Sequence, residues 1–316
     1  MSKLNISVSP HIRSPLTTRR VMGDVLIALI PALCASVWYF GFRALYITGI
    51  CVLSCILGEL IFQLITKRDI AITDLSAAVT GTLLAFNLPV DIPEWQAVVG
   101  SLIAIVIVKQ LFGGIGYNFT NPALTARVAM LLSFQNTLSD YVAPHGAEGD
   151  IQSFATPLTY IASGETDKLP SLFQMFVGQR AGSMGETCAV ALIIGFIYLL
   201  CRKVISWHIP VMYVGTVFVL YLIAGGGDVT LALYQILSGG LLLGAIFMAT
   251  DYVTSPETPL GMIIFGFGCG LITFAIRYWG TYPEGVSFAI LFMNILTPYI
   301  SRLTANKPFG AVKEGK

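Results

Sequence analysis

The sequence predicts an all-α integral membrane protein of about ten transmembrane helices, arranged as two inverted five-helix repeats. Composition, a succession of ten apolar segments and the uneven placement of lysine and arginine carry that prediction. Of 316 residues, 55% are hydrophobic and 11% charged, with a mean hydropathy of +0.78. Soluble domains carry about a quarter charged residues, so this chain must bury itself in lipid. A net charge of +1 gives no basic surface for nucleic acid.

A spanning helix requires about 20 mostly apolar residues. The first segment, 21–42, opens at Met22-Gly23-Asp24, and 44–66 follows with Glu59 inside it. Segment 72–88 is short and flecked with Thr80, Gly81, Thr82 and Asn87, whereas 95–112 is apolar up to Lys109. Segment 121–135 is again short and holds Thr125 and Arg127, so the third and fifth are expected to be broken, re-entrant or sheltered by neighbours. The second half reads as 184–204, opening at Met184-Gly185-Glu186, then 207–226, 231–250, 259–279 and 284–303.

Orientation follows from the basic residues. With both termini inside, Lys3, Arg13, Arg19, Arg20, Lys67, Arg68, Lys109, Arg202, Lys203, Arg302, Lys307, Lys313 and Lys316 face the cytoplasm, against Arg43, Lys168, Arg180 and Arg277 outside. The positive-inside rule then places the polar stretch 136–183, including Thr156, on the external side. Residues 1–135 and 184–316 form the two repeats, and 136–183 is the external loop between them. Two groups of five spans must run in opposite senses, and Gly81 finds an echo in Gly244, as Lys109 does in Arg277. The first twenty residues are polar and basic without an alanine-type cleavage site, which reads as no removed signal peptide.

Several chemistries lack a signal. Cys34, Cys51, Cys55, Cys188, Cys201 and Cys269 all fall in or beside apolar segments and read as small apolar filler rather than a disulfide framework. His11, His145 and His208 are scattered, so no metal or haem site is expected. No dinucleotide fingerprint or phosphate-binding glycine loop occurs, and no catalytic residue is assigned. Asp24, Glu59, Asp74, Arg127, Glu186 and Asp251 lie within or at the edges of apolar segments, where a charge is costly and marks function by default. Asp24 and Glu186 also read as first-turn carboxylates favoured by a helix dipole, leaving Arg127 and Asp251 as the candidates for an ion pathway.

The polar loop holds Asp150-Ile151-Gln152-Ser153-Phe154-Ala155-Thr156-Pro157-Leu158. Pro157 biases Thr156 toward an extended backbone, and small Ala155 leaves its hydroxyl accessible. Further motifs are Ser9-Pro10-His11-Ile12-Arg13, Phe86-Asn87-Leu88-Pro89, Lys109-Gln110-Leu111-Phe112-Gly113-Gly114, Asn118-Phe119-Thr120-Asn121-Pro122-Ala123, Met248-Ala249-Thr250-Asp251 and the run Phe288–Asn294. Through these, the chain resembles the RnfD/NqrB family of membrane subunits over nearly its whole length, and its compactness is nearer the RnfD branch.

The resemblance implies a subunit of a Rnf-type ion-translocating ferredoxin:NAD⁺ oxidoreductase in the bacterial cytoplasmic (inner) membrane. It implies FMN joined by a phosphoester to Thr156, attached by a flavin transferase that reads Asp150, Ser153 and Ala155; Phe154 departs from the family's usual glycine. It extends to a non-covalent riboflavin near Asn118 and Asn121, where a helix-capping turn at Asn121-Pro122 explains the same residues. Ferredoxin and NAD would meet other membrane and peripheral subunits of the complex, while this chain passes electrons and contributes to Na⁺ or H⁺ translocation. The competing reading is a channel or secondary transporter whose inverted repeat forms a pathway without flavin.

Overall fold

In a computed structural model, residues 17–142, 144, 155–280 and 284–305 are described. They form helices joined by short connections, with no strand among them. Helix α1, Thr18–Phe40, starts where the Thr17 hydroxyl accepts from Arg20 N, and it hands over to α2, Phe42–Thr66, through Gly41 at φ +75°. Only glycine adopts that left-handed turn without strain. Helices α3 (Ser76–Phe86) and α4 (Glu94–Leu102) follow, α4 widening into a π-helical segment over Ile103–Gln110. Helix α5, Pro122–Ser133, ends the first half, with short α6 (Gln135–Leu138) after it.

Two small helices, α7 (Pro157–Ser163) and α8 (Leu172–Val177), lie in the polar connection. The second half comprises α9 (Ala189–Cys201), α10 (His208–Ala224), α11 (Val229–Leu237), α12 (Leu241–Leu243) continuing as a π segment to Met248, α13 (Pro259–Trp279) and α14 (Val286–Thr304).

Among the described residues, four helices are long and apolar enough to cross a membrane: α1, α2, α13 and α14; the bent pair α11 and Leu241–Met248 makes a fifth if counted as one span. Only 28% of the most apolar stretch of α1 is buried, and Trp38, Phe42 and Leu303 are more than three-quarters exposed. Such surface calls for lipid or a partner protein against it. The remaining apolar segments hold shorter helices. The third, α3, has all eleven residues buried, so the polar flecks there mark a helix sheltered by neighbours. The break falls instead in the eighth segment, at Ser238-Gly239-Gly240, where the two halves meet at 67°.

Close helix contacts are made by small residues. A Cβ on Gly195 of α9 would lie 2.4 Å from the Ala28 carbonyl of α1, and Gly266 and Gly270 bring α13 onto the backbone of α10. This is the small-residue spacing that membrane helices use to approach.

The structure corrects two first-turn assignments. Helix α1 begins six residues before Asp24, whose carboxylate instead accepts from Tyr198 Oη at 3.0 Å and pairs with Arg202 at 3.2 Å. Residues 178–188 are not helical, so Glu186 lies in a loop rather than in the first turn of α9. Lys109, counted with the cytoplasmic cations, is 3% exposed and paired with Glu59.

Candidate functional site

Thr156 is the N-cap of α7, with φ −70° and ψ 155°, the extended backbone expected from Pro157 at the first helical position. Its Oγ1 accepts from Thr159 N at 3.3 Å and lies 2.9 Å from Thr159 Oγ1. Thr156 is half-buried, Ala155 beside it is exposed, and Leu158 is buried against the glycine turn of the broken segment. The connection is fastened to the bundle by two tyrosines: Tyr39 Oη donates to Val177 O at 3.3 Å, and Tyr234 Oη donates to Pro170 O at 2.8 Å. Asp150 and Ser153 of the attachment motif lie outside the described residues.

Beneath α7 is a buried group of charges drawn from both halves. Arg127 of α5 donates to Asn87 Oδ1 at 2.8 Å and to Ser287 Oγ at 3.4 Å, and it pairs with Glu284. Ser183 N donates to Glu186 Oε1 at 3.0 Å, and Arg180 Nε donates to Thr187 O at 3.2 Å. Arg277 of α13 reaches α11: its Nη1 donates to Gln235 O at 2.6 Å and its Nη2 to Ser238 O at 3.2 Å, closing the carbonyls left open by the helix break. Position in apolar segments singles out Arg127 and Glu186 in the sequence, whereas Arg180 falls in the polar loop 136–183 and Arg277 and Glu284, near the outer ends of segments 259–279 and 284–303, are counted there only as external charges. A cation inside one segment with an acid at the mouth of another is the signal that would have paired Arg127 with Glu284.

Asn118, Asn121 and Asp251 gather elsewhere, around a cavity of about 90 Å³ that Lys109 and Ser76 also line. Arg127 is therefore not joined to Asp251: on α5 it stands six residues, about 9 Å, beyond the Asn121 cap. The capping reading of Asn121-Pro122 is met. Asn121 Oδ1 accepts from Ala123 N at 3.1 Å and Leu124 N at 3.3 Å, while its Nδ2 donates to Met248 O at 3.2 Å. Asp251, in the loop after Met248, is raised above the usual carboxylate range by burial, opposed by hydrogen bonds from Val253 N and Thr254 Oγ1. Asn121→Ala loses the cap and leaves the Met248 carbonyl without its donor. Thermal unfolding in detergent should show a loss of about 1–2 kcal/mol, of which Asn121→Ser, a neutral capping residue, recovers the capping share.

Residues 5–310 match the model of the NQR2, RnfD, RnfE family. The D subunit of the Na(+)-translocating ferredoxin:NAD(+) oxidoreductase complex from Acetobacterium woodii is 45% identical over 317 residues, covering 99% of this chain and 98% of that one. The chain belongs to the NQR2, RnfD, RnfE family. Within it, the D subunit of the complex named as a proton-translocating ferredoxin:NAD(+) oxidoreductase in Clostridium ljungdahlii is 39% identical, with 96% of each chain covered. The D subunit of the ion-translocating oxidoreductase complex of Stutzerimonas stutzeri is 36% identical, covering 94% of this chain and 93% of its own. Each match thus runs across nearly the full length of both chains, and the family read from the sequence is the correct one.

Proposed function

We propose that this chain is the D-type membrane subunit of an ion-translocating ferredoxin:NAD⁺ oxidoreductase complex and carries FMN through a phosphoester on Thr156. The accessible Thr156 hydroxyl at the start of α7 is the observation that carries the flavin reading. An esterified Oγ1 keeps the lone pairs that accept from Thr159 N, so modification leaves the cap intact. Exposed Ala155 presents no bulk to a transferase acting there. FMN, when bound, supplies one- or two-electron transfer, and the protein supplies position and field. The chain works as part of an oxidoreductase without a complete active site of its own, and ferredoxin and NAD bind other subunits.

The proposed placement is the bacterial cytoplasmic membrane, with both ends inside, the Thr156 loop outside and ten spans in two inverted repeats. Support for the repeat comes from paired contacts: α2 packs on α3 and α4 as α10 packs on α11 and α13. The C-terminal end of α3, at Asn87, meets Ser287 at the start of α14 through Arg127, while Met248 at the end of the π segment meets Asn121 at the start of α5. Relatives are named for Na⁺ and for protons alike, so either ion fits this subunit. The Asn118 and Asn121 cavity, at about 90 Å³, falls below the size of small-molecule sites, and a riboflavin there would require the Asn118 loop to open.

The test is expression with a flavin transferase. A denaturing gel should show a fluorescent band near 34 kDa, lost in Thr156→Ala, and an intact mass raised by one FMN less one water. An unmodified chain in a host that has the transferase overturns the flavin reading and favours a channel or transporter.

A further inference from the structure

Helix α8, in the polar connection, turns an apolar face away from the bundle. The helix is fixed at both ends. Gln174 N donates to Ser171 Oγ at 3.3 Å and Ser171 N to Gln174 Oε1 at 2.9 Å, a capping box, and Gly178 stops the helix at φ +118°. None of its residues, Leu172–Val177, is charged. Met175 is fully buried where α8 packs on α9 and α11. Phe173 and Phe176, three residues apart and so on one side of the helix, are 74% and 39% exposed.

The level of this face is set by α1. Tyr39 Oη donates to Val177 O, and a Cβ on Gly178 would lie 3.0 Å from the Tyr39 ring, so the end of α8 stands at the turn from α1 into α2. Trp38 and Phe42, on either side of that turn, are more than three-quarters exposed. The next residue, Arg43, opens an exposed ionic layer: it pairs with Asp91 at 3.3 Å and Glu94 at 3.6 Å, beside exposed Trp95. Both α1 and α2 are long and apolar enough to span a membrane. Exposed rings followed directly by charges mark the end of such a helix, where hydrocarbon gives way to headgroups. A helix held at that level, uncharged and carrying two phenyl rings on one side, has the character of an interfacial segment, whose apolar face enters the bilayer by about 5–10 Å.

We infer that α8 is a lipid anchor: Phe173 and Phe176 enter the acyl boundary of the leaflet at the α1–α2 turn and hold the connection that carries Thr156 against the bilayer. Lipid is the occupant because the two rings continue the exposed belt of Trp38 and Phe42, and α8 has no charge for a partner's surface to complement. The inference requires neither flavin on Thr156 nor a choice of membrane side for the connection.

The assembled complex in its native membrane supplies the test, with p-benzoylphenylalanine in place of Phe173, Phe42 or Asp167. Phe173 is largely exposed, so the replacement leaves the buried Met175 contact untouched. After illumination, the intact mass of the denatured chain should rise by one phospholipid with the probe at 173 and at 42, and should not rise with it at exposed Asp167. A product at 173 heavier by a whole polypeptide overturns the anchor and makes the face a protein interface. Lipid addition at 42 but not at 173 overturns it as well, as does equal addition at 173 and 167. A second readout tests the holding role in the full chain reconstituted in nanodiscs. With Phe173→Ser and Phe176→Ser combined, trypsin should cut at exposed Lys168 several-fold faster than in the parent, and equal rates overturn that role.

Discussion

Lys109→Met should lower the stability of the detergent-solubilised chain by about 3–5 kcal/mol, the cost of stranding one member of a buried ion pair. Lys109 Nζ lies 2.9 Å from both carboxylate oxygens of Glu59 and donates to Ser76 Oγ at 2.6 Å. Gln110 Nε2 adds a bond to Glu59 Oε1 at 2.7 Å, and Ser76 Oγ in turn donates to Asp74 Oδ1 at 2.6 Å. Removing the ammonium leaves Glu59, 1% exposed, with amide partners and no counter-charge. The cost lies in the unpaired charge rather than in the lost contact, so Glu59→Leu combined with Lys109→Met should recover most of the stability. A double-mutant cycle on the unfolding midpoint measures this. A single variant as mild as an ordinary surface change, within about 0.5 kcal/mol of the parent, contradicts the account.

Gly81→Val should be comparably severe, with a loss of about 3 kcal/mol. A Cβ on Gly81 of α3 would stand 2.7 Å from Val52 Cα and 2.9 Å from the Cys51 carbonyl, both backbone atoms of α2 that no rotamer change can clear. Gly49 on the same α2 has nothing within 4 Å of its Cβ position. Gly49→Ala should therefore be neutral or stabilise by about 0.5–1 kcal/mol, since only the helix-propensity gain remains. Melting curves of the two variants side by side separate steric crowding from a general intolerance of glycine replacement; equal losses in both would remove the crowding argument.

Apolar length made the membrane class legible, because hydrocarbon demands it of every spanning segment alike. Helix ends were less legible. The dipole role given to Asp24 and Glu186 failed because Thr17 starts α1 early and the residues around Glu186 follow a loop path set by backbone bonds, Met184 N to Leu88 O and Gly185 N to Phe86 O. The bend at Ser238-Gly239-Gly240 was written in the residues, with Gly239 at φ +63°, yet an unbroken apolar average over 231–250 hid it. At the candidate site, Thr156-Pro157 disclosed its own geometry, since a proline at the first helical position after a hydroxyl residue is a local signal. Arg277 and Gln235 come together only through the crossing of α11 and α13, and nothing in their sequence spacing announces that meeting.

The complete enclosure of α3 bears on how the chain is made. Eleven residues of α helix extend roughly 16 Å, about half the hydrocarbon thickness, and no side of α3 is turned to lipid. During synthesis such a piece gains nothing by leaving the translocon alone, since its open ends would meet hydrocarbon without hydrogen-bond partners. Release should wait until α1, α2 and α5 are there to cover it, so integration of the first half is expected to proceed as a cooperative unit rather than helix by helix.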